Sequence, residues 1–181
     1  MGSVAIQESD KVVFEKNYGY ADVKNQIKAD ASTRYKIGSI TKMFTSVVIL
    51  QLVEEKKLTL ETKLSKFFPS IKNSENISIE NLLEHSSGIY SFTDDADYPE
   101  YAKLPKTRAE LLKKIKAGNP VFEPGEQSAY SNSNFVLLGW IIEDLTKKTY
   151  AQNIETRIVK KLGLTNTGFS TGAKNEAISY H

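Results

Sequence analysis

Ser39-Ile40-Thr41-Lys42 sets a hydroxyl and an amine three residues apart. On a helix that spacing brings both side chains to one face. An amine so placed can take the proton of a serine hydroxyl as the oxygen attacks a carbonyl. Ser39 stands where the sequence predicts a helix to begin, and backbone N–H groups at a helix start can stabilise an oxyanion. No other charge occurs from Met43 to Val53, which predicts a helix buried on most sides. A cation is disfavoured both at a helix N-terminus and in apolar surroundings, and this suits Lys42 to the role of base. A plainer reading uses the same residues: Ser39 only caps the helix and Lys42 extends its ammonium to solvent.

Tyr130-Ser131-Asn132 is the second constellation, preceded by Pro124-Gly125 and followed by a helix. A tyrosine hydroxyl beside a lysine ammonium gives up its proton more readily and can relay it. The carboxamide of Asn132 can hold a lysine and a substrate carbonyl together. The alternative is an ordinary loop in which Asn132 or Ser133 caps the next helix. His85-Ser86-Ser87-Gly88 is the third. It reads more simply as a helix C-terminus, with His85 near the negative dipole end and Gly88 stopping the helix, than as a catalytic histidine.

The chain has no H-E-x-x-H, no Walker A loop and no G-x-G-x-x-G. His85 and His181 are its two histidines, so a Ser-His-Asp triad is disfavoured. Cysteine is absent, which excludes thiol nucleophiles, disulfides and Cys-ligated metals. No cofactor or metal is implied.

The elements that must carry these residues are legible in outline. Val4 to Ile6 and Lys11 to Tyr20 read as two strands about a Glu8-Ser9-Asp10 turn, with Val12 and Phe14 on one face. Thr33 to Ile37 reads as a short strand broken by Gly38. A strong helix runs from Ser39 to about Glu55. Ser78 caps a short helix that Gly88 ends, and Thr107 to Glu110 forms a capping box opening a helix to about Ala117. Asn134 to Lys148 and Tyr150 to Leu162 are helices. Tyr90 to Tyr101 is an acidic, aromatic loop whose Asp94, Asp95, Asp97 and Glu100 face solvent. Its Tyr90, Phe92, Tyr98 and Tyr101 either rim a cleft or pack the loop. The resulting class is α+β, with N-terminal strands over residues 1–37 and a mainly helical region over 38–181.

The 181 residues carry 40% hydrophobic and 25% charged side chains, a globular composition. A formal net charge of +2 gives no reason to expect nucleic acid or an anionic membrane as partner. The longest nearly apolar run, Phe44 to Val53, is far short of a membrane span. Met1-Gly2-Ser3 leads into a strand without the basic start and apolar core of an export signal.

Taken together, the stretches resemble the serine β-lactamase-related superfamily, in its branch of class C β-lactamases, D-alanyl-D-alanine carboxypeptidases and esterases. The matching segments are Asn17 to Asp22, Tyr35 to Lys42, Leu82 to Ile89, Phe122 to Gly125, Tyr130 to Phe135 and Leu162 to Thr167, in family order. The resemblance implies a β-lactamase/transpeptidase-like fold. It implies Ser39 as nucleophile, Lys42 as its base, Tyr130 as proton relay and Asn132 as organiser of substrate and lysine, while the His85 motif looks structural. The implied reaction is acyl transfer from a β-lactam, a D-Ala-D-Ala peptide or a small ester. A non-catalytic peptidoglycan- or penicillin-binding protein on the same scaffold is the alternative. The resemblance also implies a bacterial cell-envelope setting, periplasmic or secreted.

The family's Lys-Thr-Gly or His-x-Gly strand has no counterpart. Ser170-Thr171-Gly172 follows Phe169 directly after the helices and is not it. The late sheet strands and the covering C-terminal helix are likewise expected to be missing, so the early strands should leave an open edge. That edge calls for a second polypeptide, a swapped copy of the chain or further residues of the same gene.

Overall fold

The computed structural model describes residues 1–173 and 175–178. The chain divides into two compact units, Met1–Thr41 with Val159–His181, and Lys42–Ile158.

The first unit opens on an antiparallel hairpin, β1 (Gly2–Glu8) with β2 (Lys11–Tyr18), turned at Ser9 with φ 53°. Ile6 pairs Phe14 while Gln7 pairs Val12, so Val13 is a bulge. The extra residue interrupts the strict alternation expected to put Val12 and Phe14 on one face. Both strands are exposed almost throughout, Val4, Ile6, Val12, Val13 and Phe14 included. A second ladder joins β3 (Tyr20–Asp22) to β4 (Ile27–Lys28). The Asp22 carboxylate closes its turn by accepting the Asn25 backbone N–H at 3.0 Å and the Asn25 side-chain amide at 2.6 Å.

The expected strand at Thr33 to Ile37 reduces to one bridge, Arg34 with Glu176. Gly38, at φ 53°, takes the backbone out of the extended region. The Arg34 N–H donates to Asn175 O, Ala177 N–H donates to Arg34 O, and the Arg34 guanidinium pairs with Glu176 at 2.9 Å. Glu176 also accepts from the Ser170 hydroxyl and the backbone N–H groups of Thr171 and Gly172. Ser170-Thr171-Gly172 is thus a turn wrapped on a carboxylate.

The second unit is helical. α1 (Thr41–Glu54) buries Thr45, Val48, Ile49 and Leu52, an i, i+3, i+4, i+7 stripe. Met43, Val47 and Leu50 are exposed, so the helix is buried along one stripe rather than on most sides. α2 (Ile79–Leu83) starts at a capping box of Ser78 and Asn81. α3 (Tyr98–Tyr101) is a single turn. α4 (Arg108–Ala117) has the Thr107–Glu110 capping box that its sequence predicts. α5 (Asn132–Thr146) begins two residues earlier than its sequence suggests and ends at Lys147 in the left-handed region. It packs against α2 and α6 (Tyr150–Ile154). The predicted single helix from Tyr150 to Leu162 widens into a π segment over Glu155–Val159 before α7 (Lys160–Leu162). Fully buried Val48, Ile49, Leu52, Leu64, Ile77, Ile79, Leu82, Leu137, Leu138, Ile141 and Ile142 form the core.

Among the described residues, no helix is long and apolar enough to cross a membrane. His181, one of the two histidines, lies outside the described residues.

Candidate active site

The second unit brings Lys42, Tyr130 and Asn132 together. Lys42 stands in the first turn of α1 and is half-buried. Its ammonium donates to Asn132 Oδ1 at 2.8 Å, across 90 residues of sequence. The same nitrogen lies 4.7 Å from the centre of the Tyr130 ring and 5.6 Å from that of Phe135. These are cation–π distances. Lys42 therefore does not extend freely to solvent.

Asn132 is held from two sides. Its Nδ2 donates to Thr93 Oγ1 at 2.9 Å, so the carboxamide turns its oxygen to Lys42. Its backbone N–H donates to Ser91 Oγ at 3.0 Å. The Ser133 hydroxyl donates to Tyr90 O at 2.7 Å and accepts the Phe92 N–H at 3.2 Å. The start of α5 is thus stitched to residues 90–93. Ser91, Thr93 and Ser133 were not legible as site residues. The one cue was a hydroxyl at every second position, Ser91 and Thr93, inside a segment dominated by acids and aromatics.

That segment packs rather than rims. Phe92 is buried edge-on against Tyr98 at 5.8 Å. Tyr90 OH donates to Asp95 Oδ1, and the Tyr101 ring lies under Lys106 and Lys114. Asp95 and Asp97 both pair with Lys114, at 2.8 and 2.7 Å. Two carboxylates on one ammonium raise the Lys114 pKa and hold that of Asp95 below the usual carboxylate range. The acidic run is therefore not merely solvated, and it tethers the loop to α4.

His85 ends α2. Glu84 is the C-cap and His85 takes the left-handed conformation, φ 59°. The expectation that Gly88 stops the helix is corrected. Gly88, at φ 70°, instead lets the chain pass Phe122, whose carbonyl oxygen occupies the place a Cβ would take. The His85 carbonyl accepts the Ala129 N–H at 2.9 Å, and its Nδ1 accepts the Ser131 N–H at 3.1 Å. Its ring stacks on Tyr130 and Phe135 at 4.6 and 5.2 Å. Burial, then the Lys42 charge, push the His85 pKa below the usual histidine value. Ser87 Oγ donates to Asn134 Oδ1 at 2.8 Å, while Ser86 O and Gly88 O accept from Gly125 and Val121.

Ser39 belongs to the first unit. It lies within a 3-10 turn, Gly38–Ile40, that runs directly into α1. Ile37 holds the cap position of that turn and makes no side-chain capping bond. Among the described residues, no group of three or more His, Cys, Asp or Glu is placed to hold a metal.

The N-terminal antiparallel ladders and the helices that follow them form an α+β fold of the β-lactamase type. The family model described as Beta-lactamase matches residues 2–180, and the chain belongs to that family. Protein flp of Staphylococcus aureus is 36% identical over 188 residues, covering 98% of this chain and 37% of the relative. A teichoic acid D-alanine hydrolase of Staphylococcus aureus is 34% identical, covering 93% of this chain and 41% of that protein. The crystal structure of a penicillin binding protein from Bacillus halodurans superposes with a TM-score of 0.85 at 27% identity, covering 98% of this chain and 56% of that one. The chain therefore spans about two fifths of these curated relatives.

Proposed function

We propose that the chain carries the nucleophilic half of a serine acyl-transfer site. The observation that carries this reading is the bond from Lys42 to Asn132, with Tyr130 stacked on the same ammonium. Three residue types suited to acyl transfer converge there from distant parts of the sequence. Ser39 precedes Lys42 by three residues, on the turn that opens α1.

In this reading the Ser39 oxygen attacks a carbonyl carbon, and its proton passes to the Lys42 amine. Backbone N–H groups at the helix start stabilise the resulting oxyanion. Collapse breaks the carbonyl bond to the leaving group, which takes up the proton through Tyr130. Water then attacks the acyl-enzyme, giving the free acid and regenerating the serine hydroxyl. Asn132, with its oxygen on Lys42 and one N–H on Thr93, keeps a second N–H for a substrate carbonyl.

The substrates of this reading are β-lactams, D-Ala-D-Ala peptides or small esters. The names of the relatives, a teichoic acid D-alanine hydrolase and a penicillin binding protein, support that class and a cell-envelope setting. Hydrolysis of a penicillin, a D-Ala-D-Ala peptide and a D-alanyl ester by the chain and by Ser39→Ala tests it. Turnover by the native chain alone supports a hydrolase. A covalent adduct that never turns over favours a penicillin-binding role. Equal rates with Ser39→Ala defeat the assignment.

A further inference from the structure

The His85 motif is not absorbed by the reaction, yet His85 touches each of Ala129, Tyr130 and Ser131. His85 flanks Tyr130 on both sides: its carbonyl accepts the Ala129 N–H and its Nδ1 accepts the Ser131 N–H. Between those two bonds, its ring stacks on the Tyr130 ring at 4.6 Å. We propose that His85 is a positioning residue that sets Tyr130 and Asn132 against Lys42, and that it does so only as a neutral imidazole with Nδ1 unprotonated. The proposal rests on the acyl-transfer reading for its consequence in catalysis, and on geometry alone for the positioning.

The chemistry follows from the acceptor. A neutral imidazole has one N–H and one acceptor nitrogen, and the Ser131 N–H takes the acceptor, so the proton sits on Nε2. A second proton can add only at Nδ1. That turns the acceptor into a donor facing a donor, and the bond to Ser131 must open. It also sets a cation beside the Lys42 ammonium, which shares the Tyr130 and Phe135 rings with His85. The groups facing the imidazole are Lys42 from α1, the Tyr130 phenol from the loop and the apolar Phe135 ring from α5. Burial and the Lys42 charge both favour the neutral form. The folded value is depressed below 6.5. The arrangement is thus intact above that pH and is lost as pH falls through the lower, folded value.

Nitrogen-detected NMR of the His85 imidazole, with the Ser131 amide followed through the same titration, tests the positioning without any need for activity. His85→Asn assigns the resonance. It also offers an oxygen near the place of Nδ1 and suits the left-handed backbone. His85→Ala removes the acceptor.

The expected result is an unprotonated Nδ1 at pH 8, a midpoint below 6.5, and a Ser131 amide shift with the same midpoint. Acylation of the native chain should lose rate at that midpoint. His85→Ala should be slower by about a hundredfold at every pH, the scale of a misplaced catalytic group. His85→Asn should recover at least about tenfold of that loss and show no acid limb at the His85 midpoint. A proton on Nδ1 at pH 8, or a Ser131 amide indifferent to the titration, overturns the proposal. So does an acid limb unchanged in His85→Asn. A chain that shows the NMR signature but never acylates upholds the positioning and refutes the acyl-transfer reading instead.

Discussion

Ser39 and Lys42 are asked to do different things, and their substitutions separate the two. Ser39→Ala removes one exposed hydroxyl, so it should abolish acylation while leaving the unfolding free energy in urea within about 0.5 kcal/mol of the native chain, as for surface substitutions. Adducts persisting at native yield in the variant would show that another residue reacts. Lys42→Ala removes the proposed base and the partner of Asn132 Oδ1. Single-turnover acylation should slow by about a hundredfold or more, and a rate within threefold of native would make Lys42 a bystander. The residues proposed as nucleophile, base and relay stood out in the sequence because such roles demand particular functional groups. Thr93 and Ser91 could not be picked, because a hydroxyl that only orients an amide has no chemical signature of its own.

Elements deliver these residues through backbone contacts as much as side chains. The segment from Val121 to Ala129 is bonded along His85 to Gly88, and at Gly88 the approach is so close that no side chain fits. Gly88→Ala should therefore destabilise the chain by about 2 kcal/mol or more, combining strain at positive φ with displacement of Phe122. Equilibrium urea unfolding measures this, and a cost below about 0.5 kcal/mol would mean that the loop yields freely. The helices themselves were readable, since caps at Ser78 and Thr107 and apolar periodicity are local signals. The π segment at Glu155–Val159 and the bulge at Val13 were not, because each depends on what the chain packs or pairs with. The Gly88 misreading has the same origin: a glycine after a helix looks like a stop, and only tertiary contact reveals the passing Phe122 backbone.

At the scale of the whole molecule, Glu176 in the first unit and Glu55 in the second are held far below their usual range. Glu176 is brought to about 2 by the Ser170 hydroxyl and the Thr171 N–H. Glu55 is brought to about 2 by bonds from Arg157 and Lys57. Both folded values lie below the ordinary 4.5. Their contribution is therefore complete above that pH and is lost as pH falls from about 4.5 toward 2. Denaturant midpoints recorded across that window should fall in the native chain, and the slope should be shallower in Glu176→Gln and in Glu55→Gln. Slopes identical to native in both variants would show that these pairs are as strong unfolded as folded. The α+β class and the family were legible at this scale because motif order survives in sequence. The lone Arg34–Glu176 bridge was not, since it joins residues 142 apart.

Whether Ser39 is an acyl-accepting nucleophile is decided by intact-protein mass spectrometry after incubation with excess penicillin, followed by peptide mapping. The expected result is a single stoichiometric adduct on the peptide containing Ser39, absent from Ser39→Ala. A folded chain that stays unmodified, or an adduct that maps to any other residue, would contradict it.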